Sequence, residues 1–349
     1  MNLNYGSSLV LCGAFVWGCT LNAAEQTEEA TEPVTPQLVE RQLRDAESEF
    51  DEAKKMFNPW YTGPLLTPSA HVLPPGDVNI QVYYFLTDNF AAYNRHGKAK
   101  KIPHLIQNNP QAFVLVGITD WLDFYTVPGC LFNNQAGQHA VHFSDLPVAL
   151  GFQLMAEKPY RPALLLGIQE LFPTGKYQKF DPEKGSVDST GGGSYQTKVS
   201  LNISKVVWWV TKHPMNIRGS ANYTIPANAH VRGFNSYGGG FGTAGTVKPG
   251  KNLALDIGYE YSFTQRWVAA LDVAYTYSAK TTFKGTPGVT ALGTHAAVGG
   301  PFNEQLSLAP ALEYNPTANL GFIAGCWFTV WGKNSLDFVS GIASVTYTF

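Results

Sequence analysis

From Gly76 onward the chain alternates with a period of two, in segments joined by connections that are short and long by turns. The clearest segment is Lys251 to Phe263, where Leu253, Leu255, Ile257, Tyr259, Tyr261 and Phe263 interleave with Asn252, Ala254, Asp256, Gly258, Glu260 and Ser262. Arg266 to Ser278 repeats it, with Trp267, Ala269, Leu271, Val273, Tyr275 and Tyr277 opposed to Ala270, Asp272, Ala274, Thr276 and Ser278. Side chains on a strand point to opposite faces in turn, so each segment has one apolar and one small or polar face. Alternation of this kind serves a soluble sandwich as well as a transmembrane barrel; the two differ in which face is enclosed.

Connection lengths separate them. Twelve segments read as strands, near 77–88, 112–119, 122–131, 145–155, 162–172, 195–208, 215–225, 251–263, 266–278, 303–314, 319–330 and 336–349. Connections after the even ones are short, as at Asp120–Trp121 and Thr264–Gln265. Those after the odd ones are mostly long, at 89–111, 132–144, 173–194, 226–250 and 279–302, with 331–335 the exception. Short turns on one rim, long loops on the other and an even strand number are the pattern of an antiparallel up-and-down outer-membrane β-barrel in Gram-negative bacteria. The segments are close to the length of about 9–11 residues that crosses a bilayer at a tilt. Trp267, Tyr261, Phe263, Tyr314 and Tyr347 fall near the short turns and are expected to form an interfacial girdle. Phe349, Tyr347, Val345 and Ala343 share one face of the last strand. They resemble the signal read by the bacterial barrel-assembly machinery, which is the expected partner besides membrane lipid and a small-molecule solute.

The segment before the barrel is of another kind. Leu9 to Trp17 is too short an apolar run to span a bilayer and, with Ala23 and Ala24 after it, reads as an export signal over residues 1–24. Val16-Trp17-Gly18-Cys19 is a weak match to a lipoprotein cleavage box. An acidic lead-in follows, then a helix over Gln37–Phe57 with Val39, Leu43, Ala46, Phe50, Ala53 and Phe57 in a stripe. That stripe can pack on its own chain, self-associate as a short coiled coil, or dock at the barrel. Asn58-Pro59 stops the helix, and the Pro-rich stretch to Pro75 reads as a periplasmic linker. A net charge of −2 gives no footprint for nucleic acid. Of four cysteines, Cys130 and Cys326 lie outside the signal, several strands apart, and are expected to be free, with Cys326 facing lipid. No metal or cofactor is implied.

Function is expected on the enclosed face. Lys198, Asn202, Arg218, Asn222, Asp256, Glu260, Asp272, Gln305 and Glu313 are placed there by alternation. Register brings Arg218 to Glu260 and Asp272 beside Gly258, so an acidic wall with one arginine is expected, either as a structural ion network or as a constriction tuning permeation. Small inward residues such as Ala254 and Gly258 leave room for a conduit. His142 and Ser144, two apart, raise the alternative of an outer-membrane lipase, but the next strand supplies no Asn to orient the histidine. Gly191–Gly193 and Gly238–Gly242 read as flexible outer loops.

Ser144-Asp145-Leu146-Pro147, the strand start at Arg161-Pro162-Ala163-Leu164, and Leu171-Phe172-Pro173-Thr174-Gly175 resemble the outer-membrane family annotated around the MetA pathway of phenol degradation. Ser144 stands for the family's usual Gly, and Phe172 is inserted before Pro173. The resemblance covers Asp77 to Phe349 and implies a porin-like barrel proposed to pass small, often hydrophobic or aromatic compounds, with no catalytic residue. A structural or surface-interaction barrel with a plugged lumen is the competing reading.

Overall fold

The computed structural model describes residues 35–56, 59–208 and 213–349. The export signal and most of the acidic lead-in lie outside the described residues. The chain divides into two compact units, Met1–Asp45 and Ala46–Phe349. Helix α1 (Pro36–Met56) begins in the first and ends in the second. Its stripe is exposed at Val39 and Leu43. Within the second unit Phe50 is buried edge-on to Trp208 at 6.2 Å, with the Lys205 ammonium 5.0 Å from its ring centre.

The second unit is a closed antiparallel barrel of 12 strands. In chain order these are β1 (Val78–Tyr93), β2 (Ala99–Thr119), β3 (Leu122–Thr126), β6 (Leu146–Met155), β7 (Ala163–Phe172), β8 (Gln196–Val207), β9 (Met215–Pro226), β12 (Asn252–Ser262), β13 (Trp267–Ser278), β15 (Asn303–Tyr314), β16 (Leu320–Lys333) and β17 (Leu336–Thr348). Each pairs with its neighbours, and β1 closes the cylinder by pairing with both β17 and β2. Closure leaves no unpaired edge, the condition for a sheet to stand in hydrocarbon.

The faces are inverted relative to a soluble sandwich. On β8, Val199, Leu201 and Ile203 are 42%, 45% and 44% exposed, while the alternating Ser200, Asn202 and Ser204 are 6%, 5% and 1% exposed. Glu260, Asp272 and Glu313 are fully buried inside the cylinder, and Ile257 on the same strand as Glu260 is 60% exposed. In water this arrangement would leave a large apolar surface uncovered; in lipid it is the favourable one. The aromatic girdle forms near the short turns, with the Trp267 and Tyr314 rings tilted against each other at 4.5 Å and Tyr261 and Phe263 edge-on at 5.2 Å.

The long-loop rim is more ordered than alternation suggested. The expected loop at 89–111 is the upper part of a tall hairpin, because β1 and β2 run on for 16 and 21 residues to a turn at Asn94–Gly97. The expected loop at 132–144 is mostly a hairpin, β4 (Cys130–Gln135) with β5 (Gln138–Phe143), which extends the sheet beside β2. Correspondingly the third strand stops at Thr126, where Pro128 removes a backbone donor, rather than running to Leu131. Segments of two further loops pair as a small sheet of β10 (Ala229–Arg232), β11 (Ala244–Lys248) and β14 (Thr282–Thr286). Sequence patterning missed these because loop strands too short to cross a membrane carry no long alternation. Cys130 and Cys326 are free, and Cys326 is exposed on the outer face.

Candidate functional site

The main departure from the sequence reading lies just before β1. Residues Trp60 to Gly76, read above as a linker, form a strap that arches through the barrel interior. It enters at the short-turn rim, where Trp60 N–H donates to the Gln265 carbonyl at 3.0 Å and Asn315 Nδ2 donates to the Trp60 carbonyl at 2.8 Å. Thr62 N–H then donates to Glu313 Oε2 at 2.8 Å, and Thr62 Oγ1 to Asn315 Oδ1 at 2.7 Å. At the crown of the arch, Asp272 accepts from Leu66 N–H at 3.2 Å, Thr67 N–H at 3.0 Å and Thr67 Oγ1 at 2.6 Å. The descending limb is held by Gln153, whose Oε1 accepts from Val72 N–H at 2.9 Å while its Nε2 donates to the Ala70 carbonyl at 2.8 Å.

A Pro-rich chain with no sheet partner has backbone groups that must find acceptors when buried. The inward acids supply them. Apolar packing adds to the hold: Leu65 sits in a buried cluster with Ala309, Ile323 and Ile342, and Ala70 with Ala163 and Leu165. Inward glycines make the space. A Cβ at Gly258 would lie 2.9 Å from Pro64 Cγ and from Thr67 Cβ, and a Cβ at Gly117 would meet the strap backbone at Leu73 and Pro74. Small inward residues therefore accommodate the strap.

Several sequence-predicted lumenal residues are brought together. Arg218 and Glu260 form a bidentate pair, Nε to Oε2 at 2.7 Å and Nη2 to Oε1 at 3.2 Å, and Asn216 Nδ2 adds a bond of 2.8 Å to the same carboxylate. Asp272 and Glu313 are both engaged by strap N–H groups. Lys198, Asn222 and Asp256 instead line open space, with Asn222 Nδ2 donating to Asp256 Oδ2 at 3.2 Å. Gln305 and Asn202 also face the interior, Gln305 near the loop rim and Asn202 toward Ser69 of the strap.

At the short-turn rim the strap ends in a latch of charged groups. Glu157 accepts from Val206 N–H at 2.9 Å and Lys205 Nζ at 3.1 Å, and its other oxygen faces His71 Nε2 at 3.1 Å. Burial pushes the Glu157 carboxyl up, but the bonds from His71, Val206 and Lys205 together hold it below its ordinary value.

The strap roofs one side of a chamber of about 460 Å³. One wall is aromatic: Tyr83 and Phe85 are stacked at 5.7 Å, and Phe113 and Tyr125 at 4.9 Å. The facing wall carries Lys198, Ser200, Asn222 and Asp256. Alternation did not reveal the inward aromatics, because both faces of β1 are aromatic there (Tyr83 and Phe85 inward, Tyr84 outward). A second cavity of about 440 Å³ lies nearer the loop rim, lined in part by Thr87, Asn89, Gln107 and Gln305.

His142 and Ser144 do not form a nucleophile and base. The Ser144 hydroxyl donates to the Gly129 carbonyl at 3.1 Å, and His142 Nε2 faces Asp188 Oδ1 at 3.8 Å. Asp188 also takes Lys176 Nζ at 2.7 Å, which ties down the loop after β7. Among the described residues no group of His, Cys, Asp or Glu is set to hold a metal ion.

No protein-family model matches the sequence, and no curated protein does. Among solved structures, an outer-membrane channel from Pseudomonas putida F1 aligns with a TM-score of 0.61 and 14% identity, over 80% of this chain and 98% of that one. The likeness is one of fold. The Pseudomonas putida toluene transporter TodX aligns at 0.40, with 12% identity over 79% of this chain and 89% of its own. The translocator domain of the autotransporter NalP from Neisseria meningitidis aligns at 0.41, with 11% identity over 90% and 95%. Neither of these two aligns closely enough to bear on function. The motif resembling the phenol-degradation family stands without a family match, and its local work is clear. Asp145 Oδ1 accepts from Gly175 N–H at 2.9 Å and Oδ2 from Gly192 N–H at 2.8 Å, pinning the base of the loop after β7.

Proposed function

We propose that this chain is an outer-membrane channel for passive passage of small amphiphilic or aromatic molecules, closed by its own strap. The observation that carries the reading is the chamber. A barrel that served only as a scaffold has no need of a cavity of about 460 Å³ with an aromatic wall facing a dipolar one. Sites that are mostly apolar with a few placed polar groups are what small ligands occupy. In this reading the short turns and the strap entrance face the periplasm, the tall β1–β2 hairpin faces outward, and Val345, Tyr347 and Phe349 act as the assembly signal.

The strap itself favours a second reading, a permanently plugged barrel with a structural or surface role. Planar-bilayer recording separates the two. The channel reading expects low conductance from the intact protein and a larger one once the crown of the strap is released by Asp272→Ala. If the strap is shown to be released and neither conductance nor liposome flux appears, the plugged barrel is correct.

A further inference from the structure

The cavity near the loop rim and the aromatic chamber lie end to end along two strands. Inward positions of β1 run Gln81, Tyr83 and Phe85 in the chamber and continue as Thr87 and Asn89 in the rim cavity. On β2, Phe113 and Gln111 line the chamber and Gln107 the rim cavity. The two spaces differ in chemistry. The chamber offers aromatic rings; the rim cavity, among its described lining residues, has no charged side chain at all.

Its polar groups are carboxamides and the hydroxyls of Thr87 and Ser335, and most of the amides are fixed. Asn89 Nδ2 donates to Gln107 Oε1 at 3.1 Å, and Gln107 Nε2 donates onward to Asn133 Oδ1 at 3.0 Å. Gln305 Nε2 donates to the Leu336 carbonyl at 2.7 Å, and Asn334 Nδ2 to the Phe302 carbonyl at 2.9 Å. With their NH2 groups tied to the protein, the amides of Asn89, Gln305 and Asn334 keep carbonyl oxygens to offer, and Asn303 lines the same space. Trp327 and Phe338, edge-on at 4.8 Å, form an apolar flank. An array of neutral acceptors beside an aromatic flank suits a ring that presents many hydroxyl donors from an otherwise apolar skeleton. It serves an anion poorly, since acceptor oxygens rather than donors face it and no opposite charge offsets lost hydration.

We infer that the rim cavity is a binding subsite for a neutral sugar ring, and that the solute accepted by the two cavities together is an aryl glycoside, its sugar among the amides and its aromatic ring in the chamber. This rests on the channel reading above and narrows its solute class. Binding from the loop side does not require the strap to move, so the two readings fail separately.

The test is isothermal titration of the full chain in detergent with phenyl glucoside, benzyl alcohol, glucose and phenyl glucuronide. Phenyl glucoside is expected to bind at least about tenfold tighter than benzyl alcohol, glucose or the anionic glucuronide. The double variant Asn303→Leu/Gln305→Leu is expected to lose about tenfold for phenyl glucoside and nothing for benzyl alcohol, while Phe113→Ala weakens both. A milder pair, Asn303→Ser and Gln305→Ser, gives the same comparison if the first does not fold, folding being read from the gel shift between boiled and unboiled protein. Glucoside affinity no better than that of benzyl alcohol, or amide variants that leave it unchanged, would overturn the inference. A barrel that binds the glucoside but never conducts overturns only the channel.

Discussion

Asp272→Ala is the sharpest perturbation of the strap. The carboxylate accepts from two backbone N–H groups and one hydroxyl of residues 66–67, and Thr67 is only 2% exposed. Removing it leaves three donors without their acceptor. A buried donor left unpaired costs about 1–3 kcal/mol. Water in the chamber beside the crown reaches part of this segment, so the low end applies, about 1 kcal/mol for each donor and about 3 kcal/mol together. At about 1.4 kcal/mol per factor of ten, the equilibrium between seated and displaced strap shifts by roughly 100-fold. Barrel pairing is untouched, because Asp272 contributes its backbone to the ladder whatever its side chain. Hydrogen exchange followed by mass spectrometry reads this directly. Amides of residues 62–72 are expected to lose about 100-fold in protection while those of β12 and β13 keep theirs, with conductance rising in parallel. Unchanged protection in the strap would refute the claim that these three bonds hold it.

Other outcomes follow from the same geometry. Gly258→Val places a branched side chain against Pro64 and Thr67, and is expected to unseat the strap and raise conductance without altering Asp272; a strap equally protected in this variant would mean the space is looser than the contacts imply. Glu260→Gln leaves the buried Arg218 guanidinium short of its counter-charge, and loss of one partner of a buried pair costs about 3–5 kcal/mol, so the temperature at which unboiled protein loses its folded gel mobility should fall. The Glu157 carboxyl is held low in the folded protein, so its latch contributes fully above the ordinary carboxylate value of 4.5 and is lost as pH falls below it. Strap protection near His71 should therefore drop on acidification in the wild type and be insensitive to it in Glu157→Gln. Lys198→Gln removes a chamber cation and is expected to shift the open channel toward cations, as measured by reversal potential in a salt gradient.

The barrel was legible because its constraint is repeated. Leu253 to Phe263 and Trp267 to Tyr277 must alternate to stand between lipid and lumen, and the short turns at Asp120–Trp121 and Thr264–Gln265 fix which strands are neighbours. The meeting of Arg218 with Glu260 followed from that register. The strap was not legible, because Trp60 to Gly76 has neither period, and its prolines say only what it is not. One signal was present: four inward acids, Asp256, Glu260, Asp272 and Glu313, against Arg218 and Lys198. An excess of buried acceptors calls for donors from elsewhere, and the backbone N–H groups of the strap are among them. The inward rings of Tyr83 and Phe85 were hidden for a different reason, since a strand with aromatics on both faces gives no contrast to read.

The strap is continuous with the first strand. Gly76 N–H donates to the Gly117 carbonyl at 3.0 Å, Gly117 N–H returns to the Asp77 carbonyl at 3.0 Å, and β1 begins at once. Under the channel reading, a stopper welded to the wall in this way cannot drift off when it swings aside. Its return is a first-order event whose rate is independent of protein concentration, driven by the high local concentration that a short tether enforces. Each molecule therefore recloses on its own clock, and in a single-channel record that clock appears as discrete openings with a characteristic open time.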